Sequence, residues 1–301
     1  MSSSILSRYL NPEYLKRVAD RPIEPHGLVV GNLAGSHKSP LSGFAVEFAG
    51  HRDYIPGDDP RHVDWRLYYK RDRLSVKQYE METNFVCHLL LDISASMRYG
   101  DESQQKLLYA AHAAMTLGYS IIGRNDKVSL ATFDDQVRDS VPPGKSLTQL
   151  YRMINHLDQI SPVEKTKMAE CLMDLTARMG RREIVIIFSD FLTDLGALET
   201  ALHGMKYSRH EIVLFQILHP HERSFEFNGM VKFLGLEETD EFLTQAEDVR
   251  EGYLMAFRRH EAQLDEICRR NAIERVPLET SRNLGNDLVE YLNERLRVRV
   301  R

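Results

Sequence analysis

Residues 85 to 91 read Phe-Val-Cys-His-Leu-Leu-Leu, and an aspartate follows at position 92. A nearly unbroken apolar run of strand length is the mark of a strand covered on both faces, the situation of a parallel sheet. The pattern recurs at Glu183-Ile-Val-Ile-Ile-Phe188, and further strand-like segments fall at Lys127 to Phe133, His210 to Leu218 and Ile273 to Leu278. The segments between them space their apolar residues three or four apart, as helices do. Ser103 to Ile122 is one, with Leu107, Ala110, Ala111, Ala114, Leu117 and Ile121 on one face. Leu147 to Leu157, Met168 to Met179 and Leu195 to Met205 are others. A long helix is predicted from Asp248 to Arg270 on the stripe Val249, Tyr253, Phe257, His260, Leu264, Ile267, and a last one from Leu284 to Leu296. Strand–helix alternation of this kind specifies an α/β fold with a doubly wound, mostly parallel sheet of Rossmann type.

The first 82 residues are patterned differently. A short helix is expected near Pro12 to Ala19, then a Gly/Ser/Pro-rich stretch from Gly31 to Gly43, then short alternating segments at Phe44 to Phe48 and Ser75 to Tyr79. These predict a small β-rich module over 1–82, ahead of the α/β domain over 83–301. A second β segment, about 224–246, interrupts the larger domain with Val231 to Leu234 and Glu241 to Thr244. Pro142-Pro143-Gly144 reads as a turn.

Composition narrows the function classes. A net charge of -5 over 301 residues lacks the basic excess of a duplex-binding surface, so nucleic acid is not the expected partner. Three cysteines, Cys87, Cys171 and Cys268, form no CxxC pair and suit free thiols in a reducing compartment. The opening MSSSILSRYLNPEYLKR has no apolar core of signal length, and no run approaches a membrane span. A cytoplasmic, unanchored protein is expected.

The chemistry concentrates where the first strand ends. Asp92-Ile93-Ser94-Ala95-Ser96 directs three oxygen side chains at alternating positions toward one spot, at the carboxyl end of a strand, where open α/β sheets bind ligands. Hard divalent cations select oxygen ligands. One carboxylate with two hydroxyls leaves the ion positive and its remaining positions open to water or a partner's carboxylate. The strand ending at Phe188 is followed by Ser189 and Asp190, and Thr166 precedes the helix at Met168. Two carboxylates at neighbouring strand ends repel one another unless a cation lies between them. Each of these residues could alone be a helix cap instead.

Together, Asp92, Ser94, Ser96, Thr166 and Asp190 resemble the metal-ion-dependent adhesion site of von Willebrand factor A domains. The resemblance implies Mg²⁺ or Mn²⁺ held by three loops, with an acidic residue of a protein partner completing the shell. Lys165 and Lys167 flank Thr166 and would weaken the ion if they pointed inward.

A second string precedes this one. Ser42-Gly43-Phe44-Ala45-Val46-Glu47-Phe48 leads to Arg52-Asp53-Tyr54-Ile55-Pro56-Gly57-Asp58-Asp59-Pro60-Arg61, then Val63-Asp64-Trp65 and Val76-Lys77-Gln78-Tyr79-Glu80. It resembles the bacterial domain of unknown function family fifty-eight, whose members typically accompany MoxR-type AAA+ ATPases. That resemblance implies an adaptor or co-chaperone with an ATPase and a client as protein partners. Many relatives carry membrane spans before this region; none is legible here. Within the string, Arg52, Asp58, Asp59, Arg61 and Asp64 suit mutual pairing that clamps the module onto the larger domain, with Tyr54 beside them. Trp65, the single tryptophan, is expected in the core. Partner docking by these residues is the alternative.

Other motifs fail. Pro143-Gly144-Lys145-Ser146 lacks the earlier glycine of a phosphate-binding loop, since Asp139 stands there, and its prolines remove needed N–H donors. No G-x-S-x-G elbow occurs. His219-Pro220-His221 is expected to be solvated. Two functional readings compete: a non-enzymatic, metal-dependent interaction module, and a metal-dependent hydrolase using Asp92 and Asp190, for which no general base is evident.

Overall fold

In the computed structural model, which describes residues 8–21, 23, 25, 34–38, 47–56, 58–80, 82–83, 85–101, 104–160, 167–235 and 241–299, the apolar runs are strands. The chain forms two compact units, 1–26 with 86–301 and 27–85. The sequence pattern predicts one boundary at 82, with the opening helix in the small module. Helix α1 (Pro12–Val18) belongs instead with the large unit. Arg17 reaches Asn286, Arg21 Nε donates to Asn293 Oδ1 at 3.1 Å, and Val18 is fully buried, so the helix is fixed by packing on distant residues.

The small unit is β-rich as expected, built from β1 (Ala34–Lys38), β2 (Glu47–Asp53), helix α2 (Trp65–Arg71), β3 (Ser75–Glu80) and β4 (Glu82–Thr83). Strand β2 pairs antiparallel with β3, and β1 with β4. The stretches 31–33, 39–43 and 44–46 lie outside the described residues.

The large unit contains β5 (Val86–Asp92), α3 (Lys106–Gly123), β6 (Lys127–Phe133), β7 (Val137–Gly144), α4 (Leu147–Asp158), α5 (Met168–Arg178), β8 (Ile184–Ser189), α6 (Leu195–Tyr207), β9 (Glu211–Leu218), α7 (Pro220–Ser224), β10 (Met230–Leu234), β11 (Glu241–Gln245), α8 (Ala246–Arg270), β12 (Glu274–Glu279) and α9 (Leu284–Arg299). Its six-stranded sheet runs β12-β9-β8-β5-β6-β7, parallel throughout except for β7. This is the doubly wound, mostly parallel sheet that the sequence specifies. The expected turn at Pro142-Pro143-Gly144 is the end of the antiparallel edge strand β7. Proline is tolerated there because an edge strand has N–H groups that need no ladder partner.

Strand alternation divides the core in two. Leu90, Val185, Ile187 and Leu214 pack with Leu172 and Leu175 of α5, Leu198 and Leu202 of α6 and Leu264 of α8. On the other face α3 and α9 cover the sheet, where Phe215 meets Tyr291 at a ring distance of 5.0 Å. Both faces being covered explains why β5 and β8 carry almost no polar residues until they reach Asp92 and Ser189. The interrupting β segment is an antiparallel hairpin of β10 and β11. No helix among the described residues is long and apolar enough to cross a membrane.

Candidate metal centre at the carboxyl ends of the strands

Strands β5 and β8 are hydrogen-bonded neighbours, with Leu91 opposite Phe188. Their next residues are therefore brought together above the sheet. Ile93 N–H still donates to Phe133 O at 2.9 Å, and the chain then turns into a 3-10 segment, Ala95–Arg98. Asp92 Oδ1 accepts from Ser94 N–H at 2.9 Å, a local turn that brings Ser94 Oγ to 3.1 Å from Ser96 Oγ. The Ser94 side chain caps no helix, so the capping alternative fails here.

Across the strand pair, Ser189 Oγ donates to Asp92 Oδ2 at 2.6 Å and accepts from Phe191 N–H at 2.9 Å. Phe191 sits at φ 56, a left-handed conformation uncommon for an aromatic residue, and its side chain is fully buried in the core. Asp190 Oδ1 accepts from Leu192 N–H at 3.1 Å, and Gln216 Nε2 donates to the Asp190 carbonyl at 3.1 Å. Asp194 caps α6, accepting from Ala197 N–H at 2.7 Å, so Asp190 is free of that duty.

The site holds a cation that the sequence reading missed. Lys106, the first residue of α3, is fully buried, and its Nζ lies 2.8 Å from Asp190 Oδ2 and 2.5 Å from Glu222 Oε1. Glu222 is itself fixed, its other oxygen accepting from His219 N–H at 2.7 Å in the capping box of α7. Burial alone would lower the Lys106 pKa, but the charges of Asp190 and Glu222 outweigh it and raise it. Burial raises that of Glu222. Burial, then the charge of Asp190, pushes the Asp92 carboxyl up to about 7, against the opposing hydrogen bonds from Ser189 and Ser94. Lys106 thus neutralises the Asp190 side of the pair, and among the described residues no cation pairs with Asp92. With all three carboxylates ionised and one ammonium, the cluster carries two negative charges in excess.

The donor set suits a hard divalent ion. Adjacent ligands of an octahedral Mg²⁺ stand roughly 3 Å apart, and the Ser94 and Ser96 hydroxyls already do, at 3.1 Å. A dication would also balance the excess charge. Among the described residues no three His, Cys, Asp or Glu side chains are placed to share an ion, so an ion here would need the hydroxyl oxygens or water as further ligands. Thr166 and Lys165 lie outside the described residues. Lys167 donates its backbone N–H to Asp134 O at 2.9 Å, while its ammonium lies 3.7 Å from Glu170 and largely in solvent, so it does not point at the ion position.

The Arg52 to Trp65 string makes a local ion pair and local caps. Arg52 holds Asp58 bidentately at 2.7 and 2.6 Å, and Asp58 Oδ2 also accepts from Ile55 N–H at 2.9 Å. Asp59 accepts from Arg61 N–H at 2.9 Å, and Asp64 from Arg66 and Leu67 N–H at 3.0 and 3.1 Å, starting α2. Tyr54 N–H donates to Leu74 O at 3.1 Å. Trp65 is 53% exposed, not core: it is the first residue of α2, and the cap at Asp64 fixes its backbone while leaving the ring outside. His219 also departs from expectation. It is buried, its Nδ1 accepting from His221 N–H at 3.2 Å, whereas His221 is exposed.

Comparison with known proteins agrees with this architecture. The uncharacterized protein Rv1480 of Mycobacterium tuberculosis is 24% identical over 272 residues, covering 89% of this chain and 85% of that one. The uncharacterized protein Mb1516 of Mycobacterium bovis matches to the same extent. Among solved structures, an aerotolerance-related membrane protein from Bacteroides fragilis shares the fold, with a TM-score of 0.50 and 18% identity over 71% of this chain and 99% of its own. The SpRpn10 VWA domain is also similar, at a TM-score of 0.41 and 14% identity, over 69% of this chain and 95% of its own. The model of the family described as "Protein of unknown function DUF58" matches residues 50–263, and the chain belongs to that family.

Proposed function

We propose that the carboxyl end of β5 is a divalent-cation site through which the protein captures a carboxylate of a protein partner. The observation that carries the reading is the pair of hydroxyls of Ser94 and Ser96, 3.1 Å apart, beside a buried Asp92 that no cation among the described residues pairs with. Ser94, Ser96 and Asp92 would hold Mg²⁺ or Mn²⁺, directly or through water, with Thr166 a further candidate. Asp190, already bound to Lys106, would act from behind. When bound, the ion supplies a Lewis-acidic position for an anionic oxygen. The chain's own residues orient the site: Ser94 N–H and Ser189 Oγ fix both oxygens of Asp92 in advance. No observation favours the hydrolase alternative. His219, next to Glu222 in the capping box, uses its ring to cap α7.

The wider role we assign is that of an adaptor to a MoxR-type AAA+ ATPase, acting on a client protein without turnover of its own. Support for this comes from the string Arg52 to Trp65 and the family it marks. Titration of MgCl₂ into the EDTA-stripped full chain should show saturable binding that Asp92→Ala abolishes, with the fold retained by circular dichroism. Pull-down of an ATPase partner should fail in EDTA and with Asp92→Ala. Absence of Mg²⁺ and Mn²⁺ binding at millimolar concentration would overturn the metal reading.

A further inference from the structure

A cavity of about 310 Å³ opens next to the strand-end cluster. Its walls are the rings of Phe225, Phe227, Phe233 and Tyr253, with Phe225 and Tyr253 at 4.7 Å and Phe225 and Phe227 at 5.2 Å. Preformed apolar cavities of this size with a few polar groups at one end are the usual form of a binding site. The walls are braced. Arg250 Nε donates to Phe225 O at 3.2 Å and its NH2 group reaches Phe227 O, while Tyr253 OH donates to Glu222 O at 3.0 Å.

The cavity and the candidate metal centre share structure. Glu222 lines the cavity and holds Lys106 of the cluster. Tyr99 lines it from the other side and closes the 3-10 segment that carries Ser96, its N–H donating to Ser96 O at 3.2 Å. Residues three apart in a 3-10 turn eclipse one another about 6 Å apart, so Ser96 and Tyr99 mark two points on one face. Alternate residues of an extended chain, which also share a face, are about 6.6 Å apart.

We infer that this cavity is the specificity pocket of the strand-end site and that the partner is an extended peptide segment with the pattern carboxylate-x-bulky apolar. The inference rests on the proposed metal reading. The partner's carboxylate meets the ion above Asp92 and Ser96, and the side chain two positions on fills the ring-lined cavity. About 310 Å³ of ring-lined space accommodates one Phe or Leu side chain. Charge sets the order of events. With their carboxylates ionised, Asp92, Asp190 and Glu222 outnumber Lys106 and repel a further carboxylate, whereas a bound dication would offset that charge.

The test uses fluorescently labelled hexapeptides carrying Asp-Ala-Phe, Asp-Ala-Ala, Asn-Ala-Phe or Asn-Ala-Ala at their centre, with anisotropy read against the full chain in Mg²⁺ and in EDTA. The Asp-Ala-Phe peptide should bind at least about tenfold tighter than either single change, because burying a phenyl ring is worth roughly one to two decades of affinity. Val249 lines the cavity and is half-buried, so Val249→Trp fills it at little risk to the fold. That variant should lose the preference for Phe over Ala and keep the Mg²⁺-dependent preference for Asp over Asn. A Phe preference unchanged in Val249→Trp, or absent from the parent chain while the Asp preference persists in Mg²⁺, overturns the pocket and leaves the metal reading standing. A Phe preference that ignores both EDTA and the Asp-to-Asn change overturns the pairing of pocket and ion, while the metal reading stands or falls on the Mg²⁺ titration. No binding by any of the four peptides at millimolar concentration overturns the pocket.

Discussion

Two ion-paired clusters of this protein look alike on paper and differ in surroundings. In the large unit, Lys106 joins Asp190 and Glu222 with side chains 0%, 4% and 14% exposed. In the small unit, Arg52 grips Asp58 with 37% and 19% exposed, and with better, bidentate geometry. Water screens the second pair and can replace either partner. It can do neither for the first, where removing one charge strands the others in an apolar interior. Geometry alone would rank the two clusters the wrong way round; burial decides which one the fold depends on.

The largest expected effect follows directly. Lys106→Met leaves Asp190 and Glu222 buried without a cation, a change that costs roughly 3–5 kcal/mol in comparable buried pairs. Urea denaturation of the full chain measures it. Adding Asp190→Asn and Glu222→Gln to Lys106→Met should recover most of the loss, because uncharged groups of the same shape need no counter-ion. If Lys106→Met costs under about 1 kcal/mol, the buried cluster behaves like a surface pair and the contrast collapses.

A smaller effect, of opposite sign, is expected at Asp92. Its carboxyl is held up at about 7 by burial and by Asp190, against an ordinary value near 3.8. A carboxyl raised in the folded state contributes full stability below pH 3.8 and loses it as pH rises toward 7. Asp92→Asn should therefore stabilise the metal-free protein at pH 7, by on the order of 1 kcal/mol after loss of charge-assisted hydrogen bonds is deducted. The gain should vanish near pH 4. Melting temperatures of both proteins in EDTA across that range, taken as a difference so that other titrating groups cancel, test the sign. A destabilised variant at pH 7 would show that the Ser94 and Ser189 hydrogen bonds outweigh burial.

These sites were unequally legible in the sequence, for physical reasons. Asp92 and Asp190 stood out because each ends an apolar run, and a carboxylate where a buried strand stops has few uses. Lys106 was hidden by phase. Of the predicted stripe, Ala110, Ala111, Ala114, Leu117 and Ile121 are buried and Leu107 is half-buried, while a further buried line runs Lys106, Ala110, Ala113, Leu117. A lysine in register with three apolar positions was the available signal, and the habit of reading lysine as solvated suppressed it. Glu222 was recoverable too, as the third residue after His219 in a capping box. Trp65 misled in the opposite direction: a cap at Asp64 fixes where a helix starts but not which way its first side chain faces. Strand β7 was lost to its own Pro142-Pro143, which are permitted only because the strand lies at the edge.

The smallest effect belongs to the exposed pair, and acid is its sharpest probe. The Arg52 guanidinium, helped by Ile55 N–H, holds the Asp58 carboxyl down at about 2. A carboxyl lowered in the folded state contributes stability above its ordinary value near 3.8, and that contribution is lost as pH falls toward 2. The Ile55 amide donates to the same carboxylate at 2.9 Å, so its hydrogen exchange reports the turn directly. Corrected for intrinsic rates, that amide should keep its protection down to about pH 4 and lose it between 4 and 2. In Arg52→Met the loss should begin nearer pH 5, while the main melting transition of the large unit stays in place. Arg52→Lys should restore only part of the protection, because an ammonium cannot reproduce the two-oxygen grip of the guanidinium. If Arg52→Met shifted the global unfolding transition as far as Lys106→Met does, solvent exposure would not be what separates the two clusters.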